Sequence, residues 1–215
     1  MRSYDQYCAV AKALDVIGDR WNLLIVRELM LRDGCRYTDL HDGLPGIATN
    51  LLADRLRDLE RAGVVMREQA PAPVATTLFR LTDRGRALKP VLVELLRWGA
   101  PLMAEPTGDE AFRSYWLAVP ADLFLTDRTP EEPPIAIELR PDSADAVTIE
   151  TVGGGVRTQP GPAEDPALIL SGPPPALMGV LSGQLELAAA EHHGLRYDGD
   201  LAALERVAAG PQALA

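Results

Sequence analysis

The 215-residue sequence predicts an α+β protein in two parts: a small N-terminal domain of helices with a two-stranded ribbon, then a C-terminal domain of helices and strands. Three observations lead there. Over residues 37–63 a short helix, a tight turn and a second helix succeed one another at helical spacing. Two strand patterns, 64–69 and 78–81, flank the tip Ala70-Pro71-Ala72-Pro73, which cannot stay in a ladder. Charge divides as well: residues 1–100 hold 15 Lys/Arg and 13 Asp/Glu, whereas residues 101–215 hold 6 and 18. The net charge of −10 therefore hides an arginine-rich, near-neutral half and an acidic half that repels phosphate. Domains of 1–104 and 105–215 follow, joined at Glu105-Pro106-Thr107-Gly108.

Tyr7 to Ile17 places Val10, Ala13, Leu14 and Ile17 on one helical face, and Gly18-Asp19 ends it. Asp19 is positioned to cap an apolar helix from Trp21 to Met30 that belongs in a core. Thr38 is positioned to cap a short helix ending at Gly43, and Leu44-Pro45-Gly46 makes the turn. In the helix over 48–62, Leu52, Leu56 and Leu59 share one face, Gly63 stops the helix, and Thr49, Asn50, Ala53 and Arg57 line another face. Two packed structural helices give the same spacing. A helix, a tight turn and a second helix with a polar face also put side chains into a DNA major groove. Double-stranded DNA is the expected partner on that reading.

Thr49, Asn50 and Ala53 then reach base edges, since Asn pairs bidentately with adenine and Thr or Ala meets a thymine methyl. Arg36, Thr38, Arg55 and Arg57 are assigned to phosphates, which position the domain without reading sequence. For Arg55 an ion pair with Asp54 or Asp58 on its own helix is the alternative. Arg67 and Arg80 on the ribbon reach backbone or minor groove, or else lie on a solvated face; Phe79 and Leu81 share the opposite side. Thr82 caps a last helix with Leu88, Val91, Leu92, Leu95, Leu96, Trp98 and Met103 apolar and Pro90 near its start. That is more apolar surface than a small helical core covers. A second copy of the chain, or the C-terminal half, must cover it.

Residues 7–21, Arg36-Tyr37-Thr38-Asp39-Leu40, Leu44-Pro45-Gly46-Ile47, the run from Leu52 to Glu60, and Leu81-Thr82-Asp83-Arg84-Gly85 resemble the HxlR-type winged helix-turn-helix regulators. The resemblance spans about the first hundred residues in order. It implies a transcription regulator that dimerises through its first and last helices and binds a pseudo-palindromic operator. Two departures stand out: Ala48 replaces the usual Ser, leaving Thr49 to cap, and the wing tip lacks the Arg or Lys often found there. The resemblance also places Cys8 where several members keep a redox-sensing thiol, with Lys12 one turn on to lower its pKa. A small apolar residue in a dimer seam is the other reading of Cys8. Cys35, nearer a loop, is expected to be the more exposed thiol.

Beyond 110, Phe112 to Leu125 reads as a buried helix interrupted at Pro120. Strands are expected at 135–139, 146–150, around Val156, at 167–171 and 195–197, with helices at 174–181, 185–192 and 201–208. Leu168-Ile169-Leu170-Ser171-Gly172, Leu177 to Leu187, and Gly194 to Asp200 resemble the sterol-carrier-protein-type domain over roughly 130–208. That resemblance implies helices laid over a curved sheet with an apolar tunnel between. Trp116, Phe124, Leu168, Leu170, Leu177, Leu181 and Leu185 are then expected to hold a hydrophobic small molecule.

No segment approaches the ~20 apolar residues of a membrane span, and Met1-Arg2-Ser3-Tyr4-Asp5 opens no signal-like run. Two cysteines are too few for a disulfide framework and fit a reducing cytoplasm. Adjacent His192 and His193 point about 100° apart on a helix, so with Asp198 and Asp200 they do not converge on a metal. No Ser-His-Asp, Cys-His or paired-carboxylate arrangement stands out; neither enzyme nor cofactor is expected. The expectation is a cytoplasmic, homodimeric, ligand-responsive transcription regulator. The alternative is a carrier or sequestering protein for an apolar small molecule, whose winged-helix half serves dimerisation.

Overall fold

Helices form where the apolar spacing of the N-terminal half begins, with three differences at their ends. The computed structural model describes residues 3–32, 34–70, 76–103, 110–119, 121, 125–142 and 144–207. Its first elements are α1 (Ala9–Ile17), α2 (Asn22–Leu31), α3 (Tyr37–Gly43), α4 (Thr49–Arg61), β1 (Val65–Gln69) and β2 (Thr77–Leu81). Asp19 does not take the cap position of α2, which Trp21 occupies; its carboxylate accepts the Trp21 N–H at 3.3 Å and a guanidinium from Arg55 at 2.7 Å. Thr38 lies inside α3, not at its cap. Arg36 stands at the cap, and Asp39 accepts the Arg36 N–H at 2.8 Å.

The single helix expected after Thr82 is broken in two. Thr82 caps as predicted, its hydroxyl accepting the Gly85 N–H at 3.1 Å, but α5 (Asp83–Arg86) stops after one turn. A new helix, α6 (Lys89–Gly99), follows and tightens into a 3₁₀ turn at Ala100–Met103. Pro90 explains the break. It has no N–H to donate four residues back and its ring crowds that carbonyl, so it is tolerated only in the first turn of a fresh helix.

The chain divides into two compact units, Met1–Glu94 and Leu95–Ala215, and the division falls within α6. In the first, Ile25, Val26 and Leu29 of α2, Leu40 of α3, Leu52, Leu56 and Leu59 of α4, and Phe79 and Leu81 of β2 make one core. β1 and β2 pair antiparallel, Val65 opposite Leu81 and Arg67 opposite Phe79. Cys35 joins this ribbon through paired backbone bonds with Phe79, of 3.0 and 2.7 Å.

The second unit carries β3 (Ala136–Pro141), β4 (Val147–Val152), β5 (Gly155–Pro160), β6 (Leu168–Gly172), α7 (Pro174–Leu181), α8 (Leu187–His192), β7 (Arg196–Gly199) and α9 (Ala202–Val207). Its five strands lie in the order β5-β4-β3-β6-β7, and of the pairings only β3 with β6 is parallel. Leu139, Leu168, Leu170, Leu177 and Leu181 close the core between sheet and helices. In the stretch expected as a helix at 112–125, a 3₁₀ turn runs over Ser114–Leu117, where Phe112 and Tyr115 meet Trp116 edge-on, and Ala118, Val119 and Ala121 are α-helical. Arg206 anchors α9 by a two-point pair with Asp127, at 2.8 and 3.0 Å, and a bond to the Pro133 carbonyl. That guanidinium holds the Asp127 carboxyl below the usual carboxylate range.

Candidate nucleic-acid interface

The position of α4 is fixed from beneath. Leu52, Leu56 and Leu59 are at most 1 % exposed, so rotation of the helix about its axis would open the core. Burial of that face leaves Thr49, Asn50 and Arg57 exposed and Ala53 half-buried on the other. The Tyr37 hydroxyl donates to the Thr49 carbonyl at 2.6 Å and draws the start of α3 against the start of α4. Arg36, Thr38, Thr49 and Asn50, all exposed, are gathered at these two helix starts. Thr49 begins α4 and does not cap it. Ala48 holds the cap position in extended backbone, with φ −72° and ψ 141° and no side-chain bond. The first-turn N–H groups of α4 are therefore uncapped by a side chain, which favours an approaching anion.

The remaining arginines are engaged with carboxylates of the same unit. Arg55 bridges Asp19 at 2.7 Å and Asp58 at 3.3 Å with its side chain 19 % exposed, which makes it a tie between α4 and the α1–α2 turn. Arg67 pairs with Glu60 at 3.1 Å and lies over the Phe79 ring, and Arg80 pairs with Glu68 at 2.6 Å. Arg57 pairs with Asp54, but both side chains are more than half exposed. An exposed pair of this kind is worth about 0–1 kcal/mol, so Arg57 can exchange its carboxylate for a phosphate with little loss. The tie between Asp19 and Arg55 spans 36 residues and leaves no local sequence signal.

The two thiols are reversed from expectation. Cys35 is 1 % exposed, because its backbone pairs with Phe79 and its side chain enters the core; burial pushes its pKa up to about 11. Cys8 is exposed at the cap of α1, where backbone N–H groups of Ala11 and Val10 stabilise the thiolate and lower its pKa. Lys12, expected to do this, instead faces Asp15 at 3.9 Å. Iodoacetamide at neutral pH is accordingly expected to label Cys8 and spare Cys35 in the folded protein. Peptide mass mapping checks it, and label on Cys35 at a comparable rate would refute the burial argument.

Of the side chains expected to hold a ligand, Leu168, Leu170, Leu177 and Leu181 meet in one closed core, with Leu185 packed against it. Leu168, Leu170, Leu177 and Leu181 are at most 1 % exposed, filling the space between sheet and helices. Trp116 lies against Phe112 and Tyr115, and Phe124 falls outside the described residues. Leu185, packed against that core, also lines a cavity beside α7. His192 bonds the Ala188 carbonyl at 2.7 Å, and among the described residues no group of three His, Cys, Asp or Glu side chains is arranged for a metal ion. No described helix is long and apolar enough to cross a membrane.

A helix-turn-helix with a two-stranded wing and an exposed polar face on its second helix defines a DNA-binding regulator. The family model of HxlR-like helix-turn-helix proteins matches residues 16–106. The chain is 38% identical over 87 residues to the uncharacterised HTH-type transcriptional regulator YvaP of Bacillus subtilis, covering 40% of this chain and 80% of that protein. It is 36% identical over 95 residues to the HTH-type transcriptional regulator YodB of the same organism, covering 44% and 82%. The solved reduced form of YodB is 32% identical, covering 44% of this chain and 92% of that one, with a TM-score of 0.40. The chain belongs to the HxlR-like helix-turn-helix transcriptional regulators.

Proposed function

We propose that the protein is a homodimeric regulator that binds a pseudo-palindromic operator and changes its affinity for DNA when a hydrophobic small molecule occupies the C-terminal unit. The observation that carries the reading is the exposed pair Thr49 and Asn50 at the uncapped start of α4, above leucines that fix the helix in rotation. Arg36, Thr38 and Arg57 supply phosphate contacts around it. Arg55, Arg67 and Arg80 hold the unit together through their carboxylates. Helices α7 and α8 beside the five-stranded sheet support a sterol-carrier-like reading of the second unit.

The test begins with operator DNA recovered by genomic pull-down at physiological salt. Asn50→Ala is expected to weaken operator binding by about 1–3 kcal/mol and random DNA much less. Arg57→Ala is expected to weaken both alike and to flatten the log–log salt dependence by about 0.9. An unchanged ratio of specific to non-specific affinity in Asn50→Ala would mean that α4 does not read bases through this face.

Ligand response requires unequal affinity for the DNA-competent and incompetent forms. The acidic second unit repels phosphate, so a ligand that biases it toward the duplex weakens binding. Native mass spectrometry of the purified chain identifies the bound molecule, and anisotropy of labelled operator is expected to show a fall in affinity of about 5- to 150-fold at saturation. Equal affinity with and without it would leave the second unit a carrier.

A further inference from the structure

In the second unit, a cavity of about 690 Å³ opens beside α7. Leu177, Val180 and Leu181 of α7 lie in the core, whereas Pro175, Ala176, Met178, Gly179 and Ser182 form one wall, Ala176 and Met178 touching the core as well. Leu96, Ala100 and Met103 form a second, from the end of α6 and its 3₁₀ turn. The volume lies within the ~300–1,000 Å³ of sites that take drug-sized molecules.

The chemistry of the lining narrows the occupant. Leu96, Met103, Met178, Leu185 and three prolines make most of it, and Ser182, Gln184 and His193 are the side chains able to hydrogen-bond. Among the described residues no Asp, Glu, Lys or Arg lines it, although residues 101–215 hold 18 acidic side chains and 6 basic ones. An anionic ligand would find no cation in the wall and would enter against the field of the surrounding charge. The polar groups are also divided. Ser182 and Gln184 follow the last turn of α7, whereas His193 precedes Gly194, which lies against the Pro173 ring at the first turn. Eight residues of helix separate the two, about 12 Å at 1.5 Å per residue. Met103 and Met178, two of the five methionines in the chain, give the walls between them an adaptable surface.

We propose that this cavity is the small-molecule site of the protein, and that it takes a neutral, largely apolar molecule able to hydrogen-bond at both ends. The assignment rests on the ligand-responsive reading above and moves its site from the closed leucine core to the cavity beside α7. It also puts the occupant against α6. Leu96, Ala100 and Met103 sit one residue on from Leu95, Gly99 and Leu102, about 100° round the helix from the exposed face of Leu95, Trp98 and Leu102.

The experiment uses the full chain without DNA and two dyes of similar size: Nile red, which is neutral, and 8-anilinonaphthalene-1-sulfonate, which is an anion. Nile red is expected to saturate at one site per chain and to bind about tenfold or more tightly than the sulfonate, whose charge has no partner there. Met103→Glu and Gln184→Glu lie on opposite walls and at exposed positions that tolerate substitution. Each is expected to weaken Nile red by about tenfold or more with an unchanged thermal midpoint. Tyr197→Glu, on β7 outside the lining, is the control and is expected to bind as the wild type does. Preference for the sulfonate, or wild-type Nile red affinity in both cavity variants, overturns the assignment. Nile red that fills the cavity and leaves operator affinity unchanged supports the site and overturns only the sensing role.

Discussion

Replacing Glu28 with alanine is expected to lower the stability of the N-terminal unit by about 3 kcal/mol, more than any surface change on that unit. Glu28 is fully buried in α2, where its carboxylate accepts Arg27 at 2.7 Å and Arg32 at 2.7 Å. Arg32 also donates to the Asp39 carbonyl at 2.9 Å, so the carboxylate orients a guanidinium that joins α2 to α3. Truncation leaves two cations facing a desolvated gap. Both guanidiniums remain about a quarter exposed and partly hydrated, which places the loss at the low end of the range for broken buried pairs. Glu28→Gln keeps the shape and one acceptor oxygen and is expected to lose less. Urea unfolding with an unchanged m-value measures both. A loss below about 0.5 kcal/mol in Glu28→Ala would class the pair with ordinary surface contacts.

Glu28 also shows how far the sequence was legible. Its run, Asn22 to Leu31, reads as an apolar core helix from spacing alone, and Glu28 with Arg32 reads as a helical pair four residues apart. That the pair lies under α3 is a tertiary fact with no periodic signature. The same division runs through the interface. The apolar steps of α4 specify which side chains stay outside, and Thr49, Asn50 and Arg57 are exposed there. Spacing within α4 allowed the pairing of Arg55 with Asp58, whereas Asp19 is brought beside it only by the fold. Cys35 was misplaced for a related reason: a residue beside a glycine in a loop becomes a core residue once its backbone pairs with a strand 44 positions on. In the second unit, strand and helix patterns located the sheet and α7. Alternation of apolar residues says which side chains leave water and not whether they meet one another or enclose a space. The leucines expected around a tunnel fill the core, and the cavity lies beside them along α7, where spacing gives no signal of it.

Trp98→Glu is expected to convert a dimer to a monomer and to weaken operator binding by about 10²–10⁴-fold, the loss of one of two linked half-site contacts. On α6 and the 3₁₀ turn that follows it, Val91, Leu95, Trp98 and Leu102 recur at helical spacing and are 39, 44, 75 and 72 % exposed. On α1, Val10 and Leu14 are 67 and 44 % exposed, and Tyr7 just before the helix is 108 % exposed. Single exposed apolar residues are ordinary, but a continuous apolar stripe along a helix is the kind of surface that a second copy covers. In the proposed dimer a two-fold axis would make the contact self-complementary, and an operator read by two copies of α4 would have half-sites about 34 Å apart, one turn of duplex. A carboxylate in the middle of that seam must be desolvated against apolar neighbours or drive the copies apart. Trp98→Phe, which keeps the apolar face, is expected to stay dimeric. Sedimentation velocity at micromolar concentration reads the assembly, and anisotropy on full and half operators reads its effect. Because each monomer keeps its reading face, Trp98→Glu should bind a half operator as well as the wild type does and lose only the gain from the second half. A wild-type chain that sediments as a monomer, or a Trp98→Glu variant that keeps full operator affinity, would remove the dimer and the palindrome with it.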